Sequence, residues 1–292
     1  MQKIGFVGLG NMGFFMSKNL SLNGFEVNGY DLNENVFTKL KEFNINQKLS
    51  LTEVASENDI IITMLPNGSA VEKVWTLLLR NMKANSLIVD CSTIDIATSK
   101  KIHSQASNMN INSLDAPVSG GTIGAENGSL TFMIGGKLEA FEKMLPLFKI
   151  MGSKAILCGD EGSGQATKIC NNLLLAITMV GLGEVIELAN ANKLDMEKFY
   201  EVISTSTGSC WALNNYCPIE GIGPISPADN NFKPGFSSQL MLKDLSLAID
   251  AAETDDLKLK LGEIVFQKYK NMIECNEGTS DFSNIINQSD LK

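Results

Sequence analysis

A chain of 292 residues, 44% of them hydrophobic, can bury a large core and exceeds the usual length of one domain, so two domains are expected without help from metal or disulfides. Its formal charge of -9, with no basic run, argues against nucleic acid or an anionic membrane as partner and leaves small molecules as the ligand class. The six cysteines are scattered without a CxxC pair, as suits reduced thiols in a cytoplasmic setting, and a single histidine excludes a His-based zinc site.

In chain order, the apolar segment 4–15 is interrupted by Gly5, Gly8, Gly10, Asn11 and Gly13 and precedes no small-residue cleavage pattern, so structure rather than a leader is expected at the start. Strand patterns at 3–7, 26–30, 59–64 and 86–90 alternate with helical patterns at 12–22, 35–43, 69–80 and 95–107, which is the signature of a parallel sheet with crossover helices. His103, in the last of these helices, is expected at the surface or in a cap rather than in catalysis. Strands at 112–116, 130–134 and 155–157 and a helix at 138–148 continue the pattern. Beyond the Gly159 to Gly164 turn the patterns are only helical, at 165–191, 196–204, 240–252 and 258–275. The fold class expected is therefore α/β, a doubly wound sheet over 1–162 followed by an all-α domain over 163–292. The apolar run 173–183 is closed by Glu184, falls short of the ~20 residues of a membrane span, and reads as a buried core helix. Residues 217–235 hold four of the seven prolines and form a long loop, which in a compact domain is more often functional than accidental.

The first strand runs into Gly8-Leu9-Gly10-Asn11-Met12-Gly13, a GxGxxG pattern in the strand-to-helix context that gives it meaning. The glycines allow a tight turn, approach to a pyrophosphate and close helix–strand packing, and the helix N-terminus faces the negative charge. Asp31, at the end of the second strand, can accept hydrogen bonds from ribose hydroxyls and would repel a 2′-phosphate, and Asp31-Leu32-Asn33-Glu34-Asn35 offers no cation to neutralise one. This Rossmann-type arrangement points to NAD rather than NADP. Leu65 and Pro66, then Thr93, stand at later strand ends where such a cofactor would lie; for Thr93, donation to the cofactor and capping of the next helix are equally good readings.

Asp115-Ala116-Pro117-Val118-Ser119-Gly120-Gly121 leaves a strand and ends in a hydroxyl and two glycines, so that Ser119, Gly120 and Gly121 either cup a carboxylate or simply turn the chain. A sharper pattern is Gly162-Ser163-Gly164-Gln165-Ala166-Thr167-Lys168-Ile169-Cys170-Asn171-Asn172, where Gly164, Lys168 and Asn172 share one helix face amid apolar neighbours. A lysine on a half-buried face costs free energy unless it serves something, and an ammonium aimed at a substrate oxygen can shuttle a hydroxyl proton as hydride leaves the same carbon. Lys168 is therefore the candidate catalytic group, with Asn172 holding the hydroxyl.

On these motifs together the chain resembles the β-hydroxyacid dehydrogenase family over nearly its whole length. The matching segments are 8–13, 115–121, 162–172 and Lys243-Asp244-Leu245. The resemblance implies dinucleotide binding, substrate carboxylate binding, catalysis by Lys168 with Asn172, and Lys243 at the nicotinamide end of the site. Ser209-Cys210-Trp211, 216–218, 227–231, Gly235-Phe236 and 240–245 are most similar to the 3-hydroxyisobutyrate dehydrogenase branch, which adds Phe236 to the cofactor contacts and accounts for the proline-rich loop. That branch implies NAD-dependent oxidation of 3-hydroxyisobutyrate to methylmalonate semialdehyde, in valine breakdown, by a homodimer or homotetramer assembled through the helical domain. The rivals are a tartronate, glyoxylate or succinate semialdehyde reductase and a silent dinucleotide-bound scaffold; Asp31 speaks against the first and Lys168 against the second. Phe14-Phe15 departs from the small pair usual in the family and could crowd the first helix.

Overall fold

A computed structural model describes residues 3–275 and 277–288, and these divide into two compact units, Met1–Lys168 and Ile169–Lys292. In the first unit the chain runs β1 (Lys3–Val7), α1 (Asn11–Leu22), β2 (Glu26–Tyr30), α2 (Val36–Leu40), a 3₁₀ turn (Lys41–Phe43), β3 (Ile45–Gln47), α3 (Leu51–Glu57), β4 (Ile60–Thr63), α4 (Gly68–Leu79), β5 (Leu87–Asp90), α5 (Ile96–Asn108) and β6 (Asn112–Asp115). There follow β7 (Val118–Ser119), α6 (Gly121–Glu126), β8 (Leu130–Gly136), α7 (Leu138–Met151) and β9 (Gly152–Gly159). Parallel pairing gives the order β3-β2-β1-β4-β5-β6; β8 is antiparallel to β6 and β7 and parallel to β9. Connections reverse direction between β1 and β4, the switch point beside which ligands of doubly wound sheets bind.

The central strands are buried on both faces, so they read as continuous apolar runs. Side chains alternate between two cores: Ile4, Phe6, Ile60, Ile62, Leu87 and Val89 join one, while Val7, Ile61 and Ile88 join the other with Trp75 of α4 and Ile102 of α5. On the first face α1 approaches β1 so closely that a Cβ at Gly13 would lie 1.9 Å from the carbonyl oxygen of Gly8. Phe14 and Phe15 do not crowd this approach; they pack at the margin of the core, edge to face with each other, and Phe14 also meets Phe43.

Expected strands and helices lie within a few residues of the observed ones. Apolar periodicity does not reveal β3, which buries only Ile45, or the short α3, α6 and β7. For α3 a usable signal is present: Ser50 accepts from the N–H of Glu53, the serine-to-glutamate spacing of a helix start.

A single helix, α8 (Ser163–Ala191), leaves the first unit, and among the described residues the second unit has no strand, only an isolated bridge between Ser237 and Asp281. It comprises most of α8 with α9 (Met196–Thr205), α10 (Trp211–Tyr216), α11 (Ser238–Thr254) and α12 (Lys260–Glu274), and 3₁₀ turns at Pro227–Asn230 and Phe282–Asn287. Its core gathers Ala176, Met179, Leu213, Met241, Leu245, Tyr269 and Ile285. The run 173–183, expected as a buried core helix, buries Ala176, Met179, Val180 and Leu182 on one face, while Leu174 is 63% exposed and Gly181 lies open.

Gly13→Ala tests the helix–strand approach. It is expected to cost roughly 2–4 kcal/mol and to lower Tm by several degrees, because backbone must move to admit the methyl group. An unchanged melting curve would mean that α1 has slack not visible in the packing.

Candidate active site

At the end of β1 the chain turns through Gly8, whose φ of +91° favours glycine and where a Cβ would lie 2.2 Å from the Met64 carbonyl oxygen. Gly10 differs, because its φ is ordinary and nothing lies within 4 Å of where a Cβ would project. The chain itself therefore does not require glycine there; the space above the α1 N-terminus, which no side chain caps, is open and fits a phosphate group. Leu9 is buried beneath this loop, and Asn11 and Met12 begin α1. Asp31 braces the loop: its Oδ2 accepts from the Leu9 N–H at 2.6 Å and its Oδ1 from the Asn33 N–H at 2.7 Å. The same carboxylate thus orients the turn and keeps lone pairs that can accept further hydrogen bonds.

Across the switch point a buried network joins the next two strand ends. Trp75 Nε1 donates to Thr63 Oγ1 at 3.0 Å, and Thr63 Oγ1 donates to Asp90 Oδ1 at 2.7 Å. Ser92 Oγ donates to the same Asp90 oxygen at 2.6 Å and accepts from the Leu65 N–H at 2.8 Å. The network fixes the backbone at Leu65, next to exposed Pro66, and the segment leading to half-buried Thr93. The cap of α5 is Asp95, which accepts from the Thr98 N–H, so Thr93 does not hold that position. Burial pushes the Asp90 carboxyl up to about 6, although hydrogen bonds from Ser92 and Thr63 and the neighbouring His103 pull the other way.

His103 is not at the surface. It is 4% exposed, its Nδ1 lies 2.7 Å from Ser113 Oγ and its Nε2 3.4 Å from Asp115 Oδ1, and its ring meets Trp75 edge to face. The 95–107 pattern contains Ile102 and Ala106 beside it on the buried face, a position that favours an interior residue.

After Asp115, Ser119 ends β7, and Gly120 and Gly121 have φ of +133° and +61° as the chain enters α6. Both glycines are thus required by the backbone, and no side chain caps the entry to α6. Lys168 on α8 is 8% exposed, and Asn172, one turn on, is 2% exposed.

In the second unit Asn172 meets a residue outside the expected site. Its Nδ2 donates to Asp244 Oδ2 at 2.5 Å, its Oδ1 accepts from Asn171 Nδ2 at 2.9 Å, and Asp244 Oδ1 lies 3.1 Å from Lys243 Nζ. Asn172 and Lys243 are thereby brought together through Asp244. A signal for Asp244 exists in the sequence: it shares the buried face of α11 with Met241, Leu245 and Ala248, where an acid needs a partner. Phe236 lies in the loop before α11, edge to face with Phe282, its N–H donating to Asp281 Oδ2 at 3.1 Å. Asp281 Oδ2 also accepts from Gly235 N–H and Tyr216 Oη, each at 2.9 Å, so one buried carboxylate ties down the C-terminal end of the proline-rich loop.

Comparison with known proteins adds an independent finding. Residues 3–159 match the model of the NAD binding domain of 6-phosphogluconate dehydrogenase, and residues 162–289 match that described as NAD-binding of NADP-dependent 3-hydroxyisobutyrate dehydrogenase. The chain is 40% identical to mitochondrial 3-hydroxyisobutyrate dehydrogenase of Mus musculus, over 97% of this chain and 85% of the relative. It is 38% identical to NAD-dependent L-serine dehydrogenase of Pseudomonas aeruginosa, over 97% and 96%. The solved structure of Mycobacterium tuberculosis 3-hydroxyisobutyrate dehydrogenase with L-serine is similar at a TM-score of 0.94 and 38% identity, covering 98% of each chain.

The Asp90 network carries a pH prediction. Its folded-state value lies above the ordinary carboxyl value near 4, so the native state holds this proton more tightly than the unfolded chain does. The resulting stabilisation is full below about pH 4 and is lost as pH rises through about 6, a swing on the order of 3 kcal/mol. Asp90→Asn cannot titrate. Its Tm relative to the unsubstituted protein is expected to rise by several degrees between about pH 4.5 and about pH 7.5, and a difference that stays flat across that window would contradict the assignment.

Proposed function

From membership of the 3-hydroxyisobutyrate dehydrogenase family, to which this chain belongs, we propose that it oxidises 3-hydroxyisobutyrate to methylmalonate semialdehyde with NAD, in valine breakdown. The chain is a hydroxyacid dehydrogenase with an N-terminal NAD-binding domain. The observation that carries the assignment of its chemistry is the burial of Lys168 and Asn172 on one face of α8. Neither side chain belongs in an apolar face without a polar task.

Bound NAD supplies a hydride acceptor for the carbon that bears the hydroxyl. Lys168 Nζ takes the hydroxyl proton as the carbonyl forms, and returns it in the reverse direction. Asn172 holds the same oxygen; Asp244 and Asn171 engage its amide from both ends and so fix its orientation, while each end keeps one hydrogen-bonding position for substrate. Ser119 and the backbone of Gly120 and Gly121 receive the carboxylate. Gly8 to Gly13, Asp31, Leu65, Pro66, Thr93, Phe236 and Lys243 bind the cofactor, with Gly10 leaving room for the pyrophosphate and Asp31 selecting against a 2′-phosphate. In this reading residues 1–162 bind cofactor, and residues 163–292 complete the substrate site and assemble the homodimer or homotetramer. Exposed Leu174 and Leu188 on α8 and Leu261 and Ile264 on α12 support such assembly. Free cysteines throughout the described residues support a cytoplasmic setting, although the Mus musculus relative is named as mitochondrial.

L-serine is the second substrate to test, because one relative of nearly equal identity is named for it. The deciding experiment is a set of initial rates at the NADH band for 3-hydroxyisobutyrate, 3-hydroxypropionate, L-serine and glycerate, each with NAD and NADP. A preference in kcat/KM of roughly tenfold or more for 3-hydroxyisobutyrate is expected, a margin that pocket shape around one or two carbons can supply. Preference for L-serine would replace the substrate and leave the chemistry standing. Lys168→Ala is expected to lower kcat by about 10²- to 10⁴-fold while NADH affinity holds within about twofold; full activity would remove the lysine from the mechanism. Asp31→Arg should move the kcat/KM ratio toward NADP, and an unmoved ratio would refute its role in cofactor choice.

A further inference from the structure

Asp115 opens the segment read from sequence as the substrate carboxylate site, yet its own side chain is enclosed by protein. It is 1% exposed; Oδ1 accepts from the Gly162 N–H at 2.7 Å and Oδ2 from the Gln165 N–H at 2.8 Å. His103 Nε2 stands 3.4 Å from Oδ1. A Cβ at Gly164 would lie 2.7 Å from Oδ2, and one at Gly135 2.4 Å from Oδ1, so two glycines are needed to let chain close around the carboxylate. No room remains there for a substrate. Gln165, wholly buried, faces the other way: its Nε2 donates to the Ser92 carbonyl at 2.8 Å and its Oε1 accepts from the Ile94 N–H at 3.1 Å. The amide therefore grips the backbone on both sides of Thr93.

We propose that Asp115 and Gln165 are positioning residues that set the start of α8, and with it Lys168, against the strand ends that carry the cofactor loops. The inference rests on the reading of Lys168 as the proton-transfer group. The first N–H groups of a helix lack internal partners and are usually capped by a residue just before it. Here the cap comes from 47 and 50 positions earlier in the chain, which ties the helix to β6 as well as stabilising it. Gln165 adds a second tie, to the segment after β5, and Ser92 passes it on to Leu65. Lys168 follows Gln165 by three residues and is its neighbour on the helix surface, so fixing both ends of this turn fixes where the lysine backbone sits. A slip of one residue would rotate the side chain by about 100°. Two independent ties prevent both slip and tilt.

The test uses Gln165→Met, which keeps length and removes both side-chain hydrogen bonds, and Asp115→Asn as a second variant. In Gln165→Met, kcat for the preferred hydroxy acid is expected to fall about tenfold to hundredfold, while substrate KM and the Kd for NADH stay within about twofold. Amide hydrogen exchange should rise about tenfold or more over 163–168 and remain unchanged in β1 and β4. A kcat within about twofold of the unsubstituted enzyme would overturn the proposal, as would equal losses in KM, Kd and kcat accompanied by a general fall in protection. If Asp115→Asn does not fold, Gln165→Met decides alone. Failure of the parent reading is separate: Lys168→Ala that turns over normally refutes the lysine, whereas an inactive Lys168→Ala beside a fully active Gln165→Met refutes only the positioning role.

Discussion

The closed contact between one buried carboxylate and two backbone N–H groups at the start of α8 is the constraint on which the arrangement of the first unit turns. Asp115 ends β6, and its two oxygens accept from the N–H groups of Gly162 and Gln165. A carboxylate at a helix N-terminus is favoured by the helix dipole as well as by the hydrogen bonds, and burial strengthens both terms. Removing either partner would leave a charge or two amides unsatisfied in the interior, so the chain has little freedom in how this helix begins. Everything that α8 presents over its first turns inherits that fixed origin.

The cofactor region shows the same economy with a different means. Gly8 and Gly13 are required by the chain itself, one by its positive φ and the other by the approach of α1 to β1. Gly10 is required by neither, since its φ is ordinary and nothing lies within 4 Å of where a Cβ would project. Asp31 shapes the loop from below, because it accepts from the Leu9 N–H with one oxygen and from the Asn33 N–H with the other. A single acid can do both because a carboxylate accepts several hydrogen bonds at once.

Buried acids recur as organisers elsewhere. Asp90 gathers Thr63 and Ser92, Asp244 gathers Asn172 and Lys243, and Asp281 gathers Tyr216, Gly235 and Phe236. Each joins segments distant in sequence, and each lies beside residues proposed to hold cofactor or substrate. Loops that must hold a ligand in a fixed pose lack the ladder hydrogen bonds of regular structure, and a buried carboxylate supplies several acceptors at one point instead.

The sequence by itself determined the alternation of apolar strands and amphipathic helices, the glycine-rich turn with Asp31, and the polar stripe of Lys168 and Asn172, because each is a local pattern of spacing that chemistry leaves on the chain. The short elements β3, β7 and α6 left no such pattern, since each is too brief to show a period. The interior place of His103, the enclosure of the Asp115 side chain at the start of α8, and the partnerships of Gln165, Asp244 and Asp281 were decided only by tertiary structure. A hydrogen bond between residues 45 to 73 positions apart has no spacing to read, and which polar side chain is buried depends on what the rest of the chain brings to meet it.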